Sequence, residues 1–242
     1  MEPVLPNLRP RLSNLLLLVG LGVFAGASVL PVQAEVSGPA KVFDGDTIEI
    51  GSTRIRIHGI DAPERDQDCA KLGGGTWRCG TEAATRLTGL MREGNPVCEG
   101  HERDQYGRLI ATCRVGETDL GGLLVAEGLA WAYRRYSRDY VEAEEDARAA
   151  GLGIWQAETR TAAEYRRAAW RAASGNAEER DCPIKGNITA DGERIYHMPW
   201  SAWYTRTRIN ESKGEAWFCD ETEAQAAGWR PAGGHAVKPA AE

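Results

Sequence analysis

Acidic and arginine side chains that bind metal ions and phosphate groups are concentrated in one part of the chain. Asp46 lies in the turn formed by residues 44–47, and Arg56, Asp61 and Glu64 follow shortly after it. Carboxylate oxygens are the ligands that hard cations such as Ca²⁺ prefer. The planar guanidinium of arginine holds phosphate oxygens through paired donors. These residue types therefore predict a site where a divalent metal ion and a phosphate meet.

A short hairpin is expected to bring these side chains together. In residues 54–58, Arg and His alternate with Ile, which is the pattern of a half-buried strand. Residues 47–50 read as the preceding strand, with a bend at Gly51 and Ser52. Pairing of the two strands would let Asp46 approach Asp61, with an arginine beside them.

Apolar spacing along the following residues predicts further elements. Five strands are predicted, at residues 41–43, 47–50, 54–58, 96–98 and 108–115. Helices are predicted at residues 81–92, 119–127 and 140–150. Five short strands and about three helices in this order are compatible with a five-stranded barrel packed on helices.

Three motifs in this order resemble the thermonuclease, or staphylococcal-nuclease-like, family: residues 44–47, 56–64 and 104–108. Residues 128–130 and 153–155 also fall where that family has similar sequence. The resemblance covers about residues 36–157. It implies that the α+β, mainly β fold is a five-stranded OB-fold barrel packed with about three helices.

The resemblance also implies a calcium-dependent endonuclease that hydrolyses phosphodiester bonds of DNA or RNA. Metal-activated water would attack, and the products would carry a 3′-phosphate. The implied Ca²⁺ ligands are Asp46, Asp61 and the backbone carbonyl of Ala62. The implied catalytic residues are Arg56, Glu64 and Arg108. Tyr106 and Tyr133 fall near family tyrosines that contact the nucleotide, and a core or surface role for them stays open.

A second class of function is a non-catalytic module on the same fold that binds nucleic acid or a cell surface without cutting. The retained acids and arginines favour the enzyme. The formal charge of −6 gives no general basic surface for nucleic acid, so binding must depend on a local site. We expect a monomer whose partner is its nucleic acid substrate.

The first 34 residues have the features of a secretory signal peptide. Arg9 and Arg11 precede an apolar run at residues 15–30, and the small-residue sequence 32–34 follows it. We therefore expect cleavage after Ala34 and a secreted or periplasmic protein. The alternative is an N-terminal membrane anchor. No later stretch is apolar enough to cross a bilayer, so no stable membrane span is expected after cleavage.

The six cysteines all follow this signal, and an even count in an exported protein favours disulfides. Among fifteen connectivities we prefer local pairing: Cys69–Cys79, Cys98–Cys113 and Cys182–Cys219. A zinc site is the alternative, but the chain has no Cys-x-x-Cys pair.

The expected organisation is a signal peptide at 1–34, a thermonuclease-like OB-fold domain at 35–157, a helix and linker at 158–180, a small C-terminal module at 181–231 and a mobile tail at 232–242. The module resembles small modules appended to exported bacterial thermonuclease-like proteins. The Cys182–Cys219 bond is expected to hold this module alone. The alanine- and arginine-rich helix before it is expected to pack as a solvated helix on its own domain.

Overall fold

A computed structural model of the protein describes Met1, residues 34–175 and residues 182–232, without the side chains of Ala34 and His101. Most of the predicted signal peptide, part of the predicted linker and the tail after residue 232 lie outside the described residues. Within the described part of the chain, no helix is long and apolar enough to cross a membrane.

The strands of the first part of the chain are β1 (Ala34–Ser37), β2 (Ala40–Val42), β3 (Thr47–Ile50), β4 (Thr53–Ile57), β5 (Ile60–Asp61), β6 (Cys69–Ala70), β7 (Thr76–Trp77), β8 (Val97–Arg103), β9 (Leu109–Val115), β10 (Thr118–Asp119) and β11 (Trp131–Ala132). The described helices are α1 (Cys79–Glu93), α2 (Leu120–Ala126), α3 (Val141–Ala149), α4 (Ala162–Gly175) and α5 (Glu221–Ala226), with 3₁₀ turns at Gly153–Trp155 and Glu211–Lys213. The last strands are β12 (Ile184–Ile188), β13 (Arg194–His197), β14 (Ala216–Phe218) and β15 (Arg230–Pro231).

The main sheet is curled and has the strand order β1-β8-β9-β4-β3-β2, with β10 paired to β9. Strands β4 and β9 run parallel, and the other neighbours in the sheet run antiparallel. Five of these strands match the predicted ones. The described sheet has seven strands rather than five, because β1 and β10 also pair. Both are short, and their hydrogen-bonding partners rather than a long apolar pattern define them.

The alternation predicted for the strand around Arg56 matches its burial. In β4, Ile55 and Ile57 are fully buried, while Arg56 is only partly buried on the other face. Strand β9 alternates in the same way, with its odd-numbered residues from Leu109 to Cys113 buried. Helices α1 and α2 cover this apolar face of the sheet. The side chains in their shared core include Ile48, Ile55, Ile57, Ala83, Leu87, Leu90, Leu120 and Leu124.

A second, smaller core joins the disulfide loop to the start of α4. It contains the Cys69–Cys79 pair, Trp131, Ile154 and Ala162, the first residue of α4. Ala162 has no exposed surface. Helix α4 is therefore seated in the nuclease-like part of the chain rather than solvated along its length.

The C-terminal residues form a four-stranded sheet with the order β14-β12-β13-β15. Its core consists of Ile184, Tyr196, Phe218, Ala224 and Trp229, and Trp170 of α4 packs against it. The described residues from Ala34 onward belong to one compact unit. The predicted division into separate domains remains a prediction.

The structure joins Cys69 to Cys79, Cys98 to Cys113 and Cys182 to Cys219, the pairs that sequence order favoured. No described cysteine is free. Three disulfides indicate an oxidising environment, such as the periplasm or the cell exterior.

Candidate active site

The turn before β3 delivers Asp46 into a cleft at the edge of the sheet. A Cβ at Gly45 would lie 2.6 Å from the Cβ of Ala62 and 2.8 Å from that of Ala83, so the turn packs too closely for any larger residue. Asp46 is buried, and its Oδ2 accepts a hydrogen bond of 3.0 Å from the N–H of Ala62. The Asp-Gly-Asp motif thus fixes one acid against the backbone that follows Asp61.

Arg56 connects the two predicted metal ligands. Its Nη1 lies 3.1 Å from Oδ1 of Asp46, and its Nη2 lies 3.0 Å from Oδ1 of Asp61. The position of Asp61 is set by β5, where it pairs with Trp131 of β11. The Arg56 side chain keeps 18% of its surface exposed, so one face of the guanidinium remains open to the cleft.

Glu64 follows Pro63 in a loop that other elements hold closely. Its N–H donates to Oε1 of Gln67 at 3.2 Å, and its Oε1 accepts from Nη1 of Arg166 at 2.7 Å. A Cβ at Gly80, near the start of α1, would overlap the Glu64 carbonyl. The loop that carries Glu64 therefore rests directly on the backbone of α1.

The turn between β8 and β9 presents Arg108. One carboxylate oxygen of Asp104 accepts the N–H groups of Tyr106 and Arg108, each at 3.0 Å, and the other accepts Nε of Arg108 at 2.7 Å. Gly107 has φ +78°, which favours glycine. The motif at residues 104–108 is thus a turn that holds its own arginine.

These elements surround a cleft of about 830 Å³. Asp46, Arg56, Ala62, Glu64, Tyr106, Arg108 and Tyr133 line it, and Asp61 lies behind Arg56. The C-terminal sheet and α5 form another wall, to which Tyr196, Met198, Trp200 and Glu221 contribute. Burial, and then the nearby charge of Glu221 across this boundary, raise the pKa of Tyr106.

The carboxylates of the cleft do not share one electrostatic environment. Burial opposes ionisation of Asp46, but Arg56 and the N–H of Ala62 outweigh it and hold the pKa of Asp46 below its usual value. Burial and the charge of Asp46 raise the pKa of Asp61. Burial and the charge of Asp44 raise the pKa of Glu64 to about 8, against the opposing effect of Arg166. Burial and Asp46 raise the pKa of Asp44 to about 6.

This donor set suits a hard divalent cation by its chemistry. Burial and then a neighbouring carboxylate raise the pKa values of Asp44, Asp61 and Glu64, and Ca²⁺ binds such oxygen ligands. Among the described residues, no three acidic, His or Cys side chains converge as a ready metal cluster. The guanidinium groups of Arg56 and Arg166 contact the acids instead.

Sequence reasoning missed Asp44 as a site acid, Arg166, and the aromatic side chains Trp170 and Trp200 that also line the cleft. Arg166 is distant in sequence from the acids it contacts. The signal that the sequence offers is the spacing of four residues between Arg166 and Trp170, which puts both side chains on one face of a helix.

The cleft at the sheet edge thus brings together acids, arginines and tyrosines. The staphylococcal nuclease homologue family model matches residues 54–157, and the ArfC family model matches residues 162–231. Asp44 and Asp46 precede the first match, and Arg166 lies within the second.

Curated relatives are similar over about half of this chain. A succinoglycan biosynthesis protein, ExoI, of Rhizobium meliloti is 37% identical over 126 residues, which cover 51% of this chain and 66% of the relative. An uncharacterized endonuclease of Haemophilus influenzae is 29% identical over 140 residues, 55% of this chain and 73% of the relative. A micrococcal nuclease of Shigella flexneri is 32% identical over 160 residues, 57% of this chain and 86% of the relative. The chain belongs to the staphylococcal nuclease homologue family.

Proposed function

We propose that the protein is an exported, Ca²⁺-dependent nuclease that hydrolyses phosphodiester bonds of DNA or RNA and leaves 3′-phosphate products. The observation that carries this proposal is the contact of Arg56 with both Asp46 and Asp61 in a cleft that Glu64 and Arg108 also line. Family membership and relatives named as nucleases support it.

Arg56 and Arg108 hold the scissile phosphate in this proposal. Their guanidinium groups keep their charge while electron density grows on the phosphoryl oxygens, which is where fixed donors stabilise a transition state. Arg56 is anchored by two acids and Arg108 by Asp104, so both donors are already oriented before substrate arrives. Tyr106 and Tyr133 contact the nucleotide from the same cleft.

In its ionised form, Glu64 orients the attacking water and accepts its proton. Its carboxylate is partly buried and keeps 16% of its surface exposed, so it can reach a water in the cleft. Asp46, Asp61 and the carbonyl of Ala62 are the proposed ligands of Ca²⁺. When bound, the cation supplies positive charge that neutralises phosphate oxygens and favours ionisation of water.

The curled sheet with its packed helices is, in this proposal, the OB-fold barrel of the family. Cleavage of a signal peptide after Ala34 would deliver a monomeric protein to the periplasm or the exterior. The three disulfides agree with that destination.

The test is cleavage of end-labelled single-stranded DNA and RNA by the purified exported protein, with Ca²⁺ and with a chelator. We expect cleavage that needs Ca²⁺ and products that a 3′-phosphatase converts to 3′-hydroxyl ends. The matched control is Asp46→Asn, which removes one proposed ligand charge. Full activity in chelator would remove the metal assignment, and binding without cleavage would favour the non-catalytic module.

A further inference from the structure

Helix α4 places an arginine against the two acids on which the proposed chemistry depends. Nη1 of Arg166 lies 2.7 Å from Glu64, and its terminal nitrogens lie 3.3 Å from the oxygens of Asp61. The Arg166 side chain is 26% exposed, and the two carboxylates are 16% and 8% exposed. These are partly desolvated ionic contacts, which are stronger than contacts on an open surface.

The start of α4 is fastened to the loop that carries Glu64. Gln67, which is buried, accepts the N–H of Glu64 and donates its own Nε2 to the carbonyl of Arg160 at 2.8 Å. Ala162 is buried in the core with the Cys69–Cys79 disulfide. Two independent attachments therefore fix the distance between Glu64 and the first turns of α4.

The other end of the same helix face packs on the C-terminal sheet. Trp170 follows Arg166 by one helical turn, lines the cleft and touches the core of that sheet. Its ring lies 6.3 Å from that of Trp200. Helix α4 thus spans from the acids to the far wall of the cleft.

We propose that Arg166 is a positioning residue for Glu64, so that α4, which lies outside the nuclease homologue match, is part of the active site. This inference rests on the proposed function. The guanidinium holds the Glu64 carboxylate near Asp61 and limits its rotamers. The alternative is that Arg166 is an inhibitory plug, a side chain that occupies the acids and must move away before they can act. The anchored start of α4 favours the positioning role, because it restricts such a movement.

The experiment compares Arg166→Ala, Arg166→Lys and the control Arg171→Ala in the full exported protein. Arg171 is an exposed arginine on the same helix, so its removal makes the same change in charge. For Arg166→Ala we expect kcat to fall by about 10²-fold with little change in KM, since a small misplacement of a reacting group has that effect. Arg166→Lys should recover part of the loss, and the control should keep wild-type kinetics. Thermal unfolding of each variant shows whether it is folded.

Calorimetric titration with Ca²⁺ separates positioning from plugging. A plug that occupies the acids in nine of ten molecules weakens apparent metal affinity about tenfold, so its removal would tighten binding by that factor and raise activity. That result, or an unchanged kcat in Arg166→Ala, would overturn the inference. We expect instead that kcat falls even though Ca²⁺ affinity rises somewhat, because a cation has left Asp61. Wild-type protein that binds Ca²⁺ but cleaves nothing would overturn the proposed function itself.

Discussion

Arg56 and Arg108 differ in how much of the fold depends on them. Arg56 compensates two buried acids, and removing its charge would leave Asp46 without its ion pair and Asp61 with Arg166 alone. Arg108 pairs with Asp104 in a turn and is 21% exposed. Replacement by lysine keeps the charge at both positions but loses the paired donors.

We therefore predict that Arg56→Lys and Arg108→Lys each lower kcat by about 10²–10³-fold, the usual cost of losing one transition-state donor. The midpoint of thermal unfolding should fall more for Arg56→Lys, because its two ion pairs are the more buried. Steady-state kinetics and calorimetry measure both. Wild-type turnover in both variants would leave the phosphate-binding role without support.

A histidine away from the cleft gives the protein a pH-dependent stability. His197 is buried in β13, its Nε2 lies 2.8 Å from Oδ1 of Asn187, and Lys185 lies opposite it on β12. Burial, and then the charge of Lys185, lower the pKa of His197 from 6.5 to about 4. The folded state therefore keeps this histidine neutral where the unfolded state takes up a proton.

Stability should consequently fall as the pH drops from about 6.5 to about 4, and the two pKa values allow a loss of roughly 3 kcal/mol at most. His197→Gln keeps a donor for Asn187 but does not titrate. Urea unfolding at pH 7 and pH 5 should show a smaller pH effect in this variant. The same dependence in both proteins would assign it to other groups.

At the scale of single residues, the sequence predicted contacts between site residues that are close along the chain. Asp46, Arg56, Asp61 and Glu64 belong to one hairpin and its following loop, so their order alone suggests that they meet. Arg166 could not be predicted, because the contact with Glu64 depends on where a later helix is anchored.

Among the elements, the β8–β9 hairpin has the clearest covalent support. Cys98 and Cys113 face each other across it, both fully buried, and Arg108 lies at its turn. A bond that closes a loop of this length contributes about 3 kcal/mol in the chain-entropy model.

The double variant Cys98→Ala with Cys113→Ala should lose roughly that free energy of unfolding, measured in urea. Its kcat should fall less than that of Arg108→Lys, since Asp104 still holds the arginine. The control is the same protein with all disulfides intact, unfolded under identical conditions. An unchanged free energy of unfolding would mean that the disulfide restrains neither the folded nor the unfolded chain.

Elements with long periodic patterns were predictable from sequence, and short paired ones were not. Helix α1 shows apolar residues at helical spacing, and β9 alternates cleanly. Strand β10 has two residues and β14 has three, and each becomes a strand only through a partner. The outer strands of the C-terminal sheet, β14 and β15, could not be predicted for this reason.

For the molecule as a whole, the expectation that the Cys182–Cys219 bond holds only the C-terminal module stays a prediction, and the two parts of the chain share the cleft. The sheet and helix near that bond supply Tyr196 and Glu221 to the cleft, which Tyr106 also lines. Contacts between the two parts of the chain could not be predicted from local patterns, since each part has its own apolar core.

We predict that Cys182→Ser with Cys219→Ser raises KM for single-stranded DNA several-fold and changes kcat less. Without the disulfide, the wall formed by the C-terminal sheet and α5 would become more mobile, while the acids of the cleft keep their positions. The comparison is with Asp191→Asn, an exposed change in the turn that joins β12 and β13. Kinetics identical to wild type would show that the wall does not contact substrate.

Because of Gly80, positions without any catalytic group should differ widely in how well they tolerate substitution. It follows Cys79 at the start of α1 and carries no polar side chain, yet its α-carbon faces the carbonyl of Glu64 with no room for a methyl group. In a library of all single substitutions selected for cleavage, position 80 should tolerate change as poorly as Glu64 itself. Gly89, which lies on the same helix with open space around it and without a left-handed backbone, should vary far more freely in that selection. The hydrogen atom that forms the side chain of Gly80 is then under the same selection as the carboxylate of Glu64.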